Sequence, residues 1–243
     1  YENAKEHIFF RVIHAARNEE LLKHVFHKKV LDLAIVFCVL FERTDEEQYS
    51  SMLQNQTVKR WGVDPEKLIR NAMENTERLF PAVRRCLEES IKNLLKQGSI
   101  PKELRERLEE ESDYKIQGLY YVANRSRLNG FSTVFYTGFL REMAEELHSD
   151  LYVIPSSIHE ALVFSADREM KEGALSGMVA DINREFVMPE DYLSDSVYYY
   201  DYQKDDLCIA ATTSLVKGRC TECICSETSD GLRKDEVFDS NPA

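Results

Sequence analysis

The residues best suited to acid–base chemistry lie close together in the segment Ser156-Ser157-Ile158-His159-Glu160. A hydroxyl, an imidazole and a carboxylate can act as nucleophile, general base and orienting acid. In an extended strand, however, Ser157 and His159 share one face and Glu160 points to the other. Neighbouring residues of one strand rarely form a triad, because the acid must reach the far nitrogen of the imidazole. A turn with surface hydrogen bonds is therefore favoured over a hydrolase or transferase that adds a distant acid such as Asp195.

Four cysteines near the end of the chain form a second candidate site, because four thiolates can hold zinc in a tetrahedron. They are Cys208, Cys220, Cys223 and Cys225. One CxxC pair is present, but the second, separately spaced pair that is typical of zinc sites is missing. A tail without metal is therefore favoured, and no cofactor is predicted.

Residues 55–75 resemble a helix-turn-helix in outline, with a short segment up to Trp61, a turn at Gly62 and a longer helix. Four basic side chains of this region could contact phosphate: Lys59, Arg60, Lys67 and Arg70. Trp61 and Leu68 have the pattern of core residues, and the acidic chain repels nucleic acid. DNA binding through residues 55–75 is thus an alternative, and a nucleic-acid partner is not favoured.

The run Tyr198-Tyr199-Tyr200-Asp201-Tyr202 places aromatic side chains on both faces of a predicted strand. Tyrosines can anchor a partner protein at an interface. More often such a run is half core and half rim, because tyrosine suits both environments. Burial of one face is the favoured interpretation.

The usual nucleotide and hydrolase motifs do not occur in the sequence. The nine glycines form neither GxGxxG nor GxxxxGK[ST], and no GxSxG is present. His159-Glu160 begins like the zinc-protease motif HExxH, but Val163 stands where the second histidine is needed. These observations favour a protein that is not an enzyme.

Alternating and helical patterns predict the elements that carry these residues. β-Branched and aromatic residues favour strands at 8–14 and 33–41, with a buried helix as the alternative for the second run. Residues 51–56 are predicted to return as the second arm of a hairpin. Asp64 and Pro65 mark the start of a helix that ends before Pro81. A second amphipathic helix is predicted from Val83 to Leu95. The later elements are strands at 119–123, 151–154, 159–164, 197–200 and 207–210, and helices at 138–147 and 171–183.

Composition and charge are those of a globular protein with an acidic balance. The chain has 243 residues, of which 31 are Lys or Arg and 43 are Asp or Glu, giving a formal net charge of −12. The longest apolar run, Val30–Phe41, is shorter than the about 20 residues that a membrane helix needs, so no membrane association is predicted. Cys38 and Cys86 lie in apolar segments and no disulfide framework is evident, which favours the reducing cytoplasm.

A set of short motifs is spread along the chain: Trp61-Gly62, Asn75-Thr76, Arg78-Leu79, Pro81, the segment 151–160, Leu193-Ser194-Asp195 and Val197-Tyr198-Tyr199-Tyr200. Together these motifs resemble an uncharacterised bacterial family, a domain of unknown function common in clostridial gut bacteria. The similarity covers about residues 8–210. The segment from Trp61 through the later hairpin is also distantly similar to the YtpQ-like proteins, which are uncharacterised as well. This resemblance implies no activity and no catalytic residues.

The predicted architecture is α+β, an antiparallel or mixed sheet with helices packed mainly on one face. Residues 1–215 are expected to form a single domain, with residues 82–112 as a charged helical hairpin, and residues 216–243 a polar, cysteine-containing tail. The function favoured by these patterns is non-catalytic binding of another protein in the cytoplasm. The alternatives are a hydrolase or transferase built on Ser157 and His159, and DNA binding.

Overall fold

The computed structural model describes residues 1–44, 48–86, 118–166, 179–181, 183–185 and 187–210. Bounds are defined in these ranges for ten strands and four α-helices. The strands are β1 Ile8–His14, β2 His27–Val30, β3 Leu33–Arg43, β4 Gln48–Met52, β5 Ala82–Cys86, β6 Leu119–Asn124, β7 Leu151–Ser157, β8 Glu160–Ser165, β9 Tyr198–Asp201 and β10 Asp206–Ile209. The helices are α1 Glu19–Leu22, α2 Asn55–Trp61, α3 Pro65–Leu79 and α4 Phe139–Leu147, and 3₁₀ helices span Lys5–His7, Ala16–Asn18 and Gly130–Phe135.

Strand β3 is the centre of a four-stranded antiparallel sheet. All of β1 pairs with one edge of β3, from Ile8 opposite Val39 to His14 opposite Leu33. Both β2 and β4 pair with the other edge of β3. A register shift after Leu40 bends β3 where β4 joins it. The predicted strands at 8–14 and 33–41 are therefore confirmed, and the second hairpin arm lies at 48–52 rather than 51–56.

The apolar sequence of β3 reflects burial on both faces of its sheet. Neighbouring residues of a strand point to opposite faces, yet Phe37 and Cys38 are both 0 % exposed. Phe37 belongs to the main core, whereas Cys38 packs with Phe9 and Phe80 on the other side. A strand covered on both sides needs an uninterrupted apolar run rather than an alternating one.

Helix α3 begins as its capping residues predict and closes over β1. The Asp64 carboxylate accepts the N–H of Glu66 at 3.2 Å, and Pro65 occupies the first turn. Near the other end of the helix, the buried Thr76 Oγ1 accepts the Phe10 N–H of β1 at 2.9 Å. The helix thus provides the hydrogen-bond acceptor for a backbone N–H of β1 that does not pair with a neighbouring strand. This agrees with the rule that buried backbone groups are hydrogen-bonded.

The second sheet has six antiparallel strands in the order β10-β9-β7-β8-β6-β5. Its centre is the β7–β8 hairpin, where Val153 opposes Val163. The C-terminal hairpin β9–β10 joins the sheet through β9, with Leu151 opposite Tyr200. The predicted strands of residues 119–210 are confirmed, and helix α4 lies at 139–147.

The prediction of a helix from Val83 is wrong for its first residues. Ala82–Cys86 form β5, which pairs antiparallel with β6 from Ala82 opposite Asn124 to Cys86 opposite Tyr120. The helical spacing is overruled because the edge of β6 supplies a ladder of backbone hydrogen bonds. The rest of the predicted hairpin, up to residue 112, lies outside the described residues, as do the residues 171–178 of the next predicted helix.

One hydrophobic core is shared by both sheets. Its buried members include Phe10 and Phe37 from the first sheet, Val153 and Tyr198 from the second, and Leu68 from α3. The α+β class is confirmed. The strands form two antiparallel sheets rather than the single sheet that was predicted, and residues 216–243 lie outside the described part of the chain.

Candidate functional site

The candidate catalytic residues lie at the tip of the β7–β8 hairpin. The register shifts after Pro155, so that Ser157 pairs with Glu160 across a turn of two residues, Ile158 and His159. The Ser157 Oγ accepts the backbone N–H of His159 at 3.0 Å. This hydrogen bond is a local serine turn, and it uses the hydroxyl oxygen to shape the hairpin.

The His159 ring is held on both of its nitrogens. Its Nδ1 accepts the backbone N–H of Asn129 at 3.1 Å, which assigns the ring proton to Nε2. That Nε2–H then donates to Asp191 Oδ1 at 3.0 Å. The His159 and Asp191 side chains are 29 % and 36 % exposed. The ring therefore ties together the hairpin tip, the segment after β6 and the turn at Asp191.

Backbone hydrogen bonds reinforce the same junction. Phe131 donates to the Ile158 carbonyl oxygen at 3.2 Å, and Ile158 donates to the Asp191 carbonyl oxygen at 2.8 Å. Gly130 lies so close that a Cβ there would be 2.2 Å from the His159 carbonyl oxygen. Only glycine fits this contact between two backbone segments.

The Glu160 carboxylate contacts Ser156 and Tyr121, whereas the His159 ring contacts Asn129 and Asp191. The Glu160 carboxylate accepts the Ser156 hydroxyl at 3.4 Å. Burial and a hydrogen bond to Glu160 raise the pKa of Tyr121. Glu160 therefore belongs to the surface of β6 and β8.

The acid beside His159 is Asp191, whereas the sequence suggested Asp195. Asp195 is exposed and accepts the Asn183 side-chain amide at 2.8 Å. Asn129 and Asp191 are 30 and 32 residues away from His159 in sequence. No local spacing could have identified them, because loop packing in three dimensions sets both contacts.

This arrangement pairs an imidazole with a carboxylate, and among the described residues no hydroxyl or thiol is hydrogen-bonded to the ring. The Nδ1 lone pair faces the Asn129 N–H, and the Ser157 hydroxyl oxygen faces the His159 backbone. A base needs an unoccupied nitrogen within reach of the group it deprotonates. A cavity of about 310 Å³ lies elsewhere, against the N-terminal segment and α3.

A second polar cluster, which the sequence did not reveal, surrounds Asp32 in the turn between β2 and β3. Asp32 Oδ2 accepts the hydroxyls of Ser194 at 2.5 Å and Ser196 at 3.0 Å. Its Oδ1 accepts the Tyr198 hydroxyl at 2.8 Å. Burial and the Asp32 charge raise the pKa of Tyr198 well above its usual value. The carboxylate links the first sheet to the segment that leads into β9.

The tyrosine run of β9 serves mainly to anchor the C-terminal hairpin. Tyr198 and Tyr200 are 0 % and 3 % exposed and belong to the main core. Tyr199 points to the other face and donates its hydroxyl to Asp150 at 2.5 Å. Tyr200 donates to Asp205, which also forms an ion pair with Arg141 on α4 at 2.9 Å. The run is thus core on one face and rim on the other, as the favoured interpretation predicted.

Of the four cysteines proposed for zinc, the structure describes only Cys208. Its side chain is 1 % exposed in β10. Cys220, Cys223 and Cys225 lie outside the described residues. Among the described residues, no three His, Cys, Asp or Glu side chains come together in a way that could hold a metal ion. Cys208 is disulfide-bonded. A zinc site at these cysteines stays a prediction, and it would require this bond to be reduced, because the thiolate is the metal ligand.

The region of residues 55–75 does form two helices about a turn. Gly62 ends α2 with φ of +61°, and α3 begins at Pro65. Leu68 is 0 % exposed within the main core, and the Trp61 ring lies 5.7 Å from that of Tyr1. The basic side chains Lys59, Arg60, Lys67 and Arg70 are on the exposed side. One of them, Arg70, is within 3.9 Å of Glu66.

Motif residues that carried the family resemblance hold elements together. The Asn75 amide donates to the carbonyl oxygens of Lys5 and Ile8, at 2.7 and 2.9 Å. Arg78 donates to the Glu6 carbonyl oxygen at 2.8 Å. Together with the Asp32 and His159 contacts, these bonds assign the motifs to the framework of the fold.

Comparison with known proteins places the chain in a family but provides no activity. No curated protein and no solved structure matches it. Within the described ranges, no helix has the length and apolar character needed to cross a membrane. The sequence profile of a family of unknown function, DUF5688, matches residues 1–202. The chain therefore belongs to the DUF5688 family.

Proposed function

We propose that this chain is a non-catalytic protein-interaction protein that works in the cytoplasm of a bacterium. The observation that supports it is the state of His159, whose two ring nitrogens are both engaged by Asn129 and Asp191. The side chain best suited to catalysis thereby acts as a tie between three segments. Because His159 has this structural role, we expect the protein to bind other molecules through its outer surface rather than through a reactive centre at the hairpin tip.

The clostridial origin and the likeness to YtpQ-like proteins form part of the same proposal. They rest on the motifs quoted from the sequence. The cytoplasmic location rests on Cys38 and Cys86, which are both free cysteines, as expected where thiols are kept reduced. Cys208, in contrast, is disulfide-bonded, and this bond is expected to be reduced in that compartment.

A hydrolase or transferase is the rival function, because the His159–Asp191 pair resembles the base and acid of a catalytic relay. Catalysis would require the Asn129 N–H to release Nδ1, or the pair to turn towards a nucleophile. The two functions differ in what the removal of His159 does. Catalysis would be lost, whereas a binding surface away from the hairpin tip would remain.

The test compares the wild-type chain with His159→Gln in two assays. In the first, each protein is incubated with a small-molecule extract of the source cells, and mass spectrometry follows which compounds are consumed. In the second, each is used as bait, and a captured protein is purified and its Kd measured. The proposal expects no compound to be consumed and a captured partner to bind both proteins with Kd values within about threefold.

Consumption of a compound by the wild type, but not by a folded His159→Gln variant, would establish an enzyme and end this proposal. The proposal would also be contradicted if no captured protein binds the chain again after purification. Circular dichroism checks that the variant is folded. Asn183→Gln serves as the matched control, because it changes another buried polar tie outside the hairpin tip.

A further inference from the structure

Two stretches of the chain that meet in the six-stranded sheet contain arginine but no acidic residue. Residues 78–86 and 118–141 hold six arginines and no Asp, Glu or Lys. The whole chain, in contrast, has a net charge of −12. Strands β5 and β6 bring the two stretches together, because they pair along their full length. The sheet therefore has a positive edge in an otherwise acidic protein.

Three of these arginines are compensated within the protein. Arg84 forms an ion pair with Glu146 at 2.7 Å, and Arg141 forms one with Asp205. Arg78 donates to the Glu6 carbonyl oxygen. Through these contacts the three side chains hold neighbouring parts of the fold together.

The other three arginines, Arg85, Arg125 and Arg127, are exposed. Among the described residues no carboxylate lies within 4.0 Å of their guanidinium groups, although such pairs form elsewhere in the chain. We call these three residues, together with Tyr121 and Leu162, the arginine patch. Its charge is available for a ligand.

The strand register places three members of the patch, Arg85, Tyr121 and Leu162, on one face of the sheet. Arg85 lies opposite Tyr121, and Tyr121 lies opposite Leu162, so their side chains form a row across β5, β6 and β8. Burial and the Glu160 carboxylate raise the pKa of Tyr121, and the charges of Arg127 and Arg85 oppose this shift. These two arginines therefore lie close enough to act on the Tyr121 hydroxyl, which also has Glu160 beside it. Arg125 is held beside β5, because its N–H donates to the Pro81 carbonyl oxygen at 2.9 Å.

We propose that the arginine patch binds an acidic, extended peptide segment of a partner protein. This proposal rests on the proposed function, and it specifies the surface and the chemistry of the partner. Guanidinium groups bind carboxylates in bidentate geometry. Arginine and tyrosine beside an apolar side chain are typical of the centres of protein interfaces.

The sheet edge explains why the peptide should be extended. β5 is the last strand in the order of the described sheet, and its two exposed arginines lie on opposite faces. A strand added along an edge gains backbone hydrogen bonds and places alternate side chains on one face. Acidic side chains at every second position would then lie beside Arg85, at the end of the row that it forms with Tyr121 and Leu162. A nucleic acid is disfavoured, since its dense negative charge would be repelled by the rest of the chain.

The experiment measures binding of a fluorescein-labelled peptide in which Glu alternates with Thr, by fluorescence anisotropy at low ionic strength. The protein is the full chain, and a double variant Arg85→Glu/Arg127→Glu removes the proposed contacts. The matched control is Lys28→Glu/Arg60→Glu, which makes the same change of charge at exposed positions outside the patch. We expect saturable binding that weakens by at least about tenfold in the patch variant and by less than about threefold in the control.

Three outcomes would overturn the proposal. They are the absence of saturable binding by the wild type, an equal loss in the control variant, and tighter binding of single-stranded RNA or duplex DNA that depends on the same arginines. None of these bears on whether His159 supports catalysis, so this failure differs from that of the proposed function. Circular dichroism of both variants excludes unfolding as the cause of a loss.

Discussion

Replacing Gly130 by alanine tests the tight junction at the hairpin tip directly. A Cβ at this position would lie 2.2 Å from the His159 carbonyl oxygen, 2.9 Å from the Asn124 nitrogen and 3.0 Å from the Ala123 Cβ. Two of these neighbours are backbone atoms, which cannot rotate away as a side chain can. The hairpin tip must therefore move by roughly 1 Å to reach an ordinary contact distance.

The expected loss in the free energy of unfolding has two sources, the extra methyl group and the hydrogen bonds that the movement weakens. Forcing an extra methyl into a packed site costs about 1–3 kcal/mol. The displacement also weakens the hydrogen bonds to His159 Nδ1 and to the Ile158 carbonyl oxygen, each of which contributes about 1 kcal/mol net. Gly130→Ala should thus lower the free energy of unfolding by about 3–5 kcal/mol, a large share of the about 5–15 kcal/mol of a typical domain.

Urea unfolding, followed by the fluorescence of the single tryptophan and by circular dichroism, measures this loss. Gly138→Ala is the matched control. Gly138 has φ of +72° and nothing within 4 Å of the added Cβ, so its cost is only that of the left-handed backbone, about 1 kcal/mol. If Gly130→Ala proves no more destabilising than this control, the described contact between Gly130 and the hairpin tip is wrong.

Three further changes probe other parts of the structure. Asp32→Ala leaves the fully buried Tyr198 hydroxyl without its acceptor and should cost about 2–4 kcal/mol in urea unfolding; a loss below 1 kcal/mol on the same measure would refute the role of this carboxylate. The hydrogen bond from Tyr200 lowers the pKa of Asp205, so Asp205 stabilises the fold above its unfolded pKa of about 3.9, and this contribution disappears as the pH falls through the folded pKa. Asp205→Asn should therefore be less stable than wild type at neutral pH, and the difference should shrink as the pH falls below the unfolded pKa of about 3.9; a difference that does not shrink in acid would contradict the assignment. Burial raises the pKa of Cys38 to about 11, so alkylation mapped by mass spectrometry should modify it only after unfolding, and fast modification of the native chain would show that it is accessible.

The sequence located the hairpin tip but not its chemistry. Ser157, His159 and Glu160 do lie at a tight turn between two strands, as the pattern predicts. What the turn does depends on Asn129 and Asp191, which reach His159 from two other loops. The alternative with Asp195 failed because a linear sequence does not say which of two nearby acids a turn will present to the ring.

Local signals determined much of the secondary structure. Asp64 and Pro65 predicted the start of α3, and the apolar run of β3 predicted a buried strand, because capping and side-chain periodicity act over a few residues. The acidic total and the missing nucleotide motifs could also be read directly. These features need only neighbours along the chain.

Tertiary structure decided the rest, because the deciding contacts join residues far apart in sequence. Ala82–Cys86 has helical spacing but forms a strand, since β6 offers it backbone partners some forty residues away. Asp32 becomes the acceptor for three hydroxyls from residues 194–198. The arginines of β5 and of the segment after β6 form one patch only when the two strands pair. In each case a backbone group or a buried charge forms its hydrogen bonds with the groups that tertiary packing places beside it.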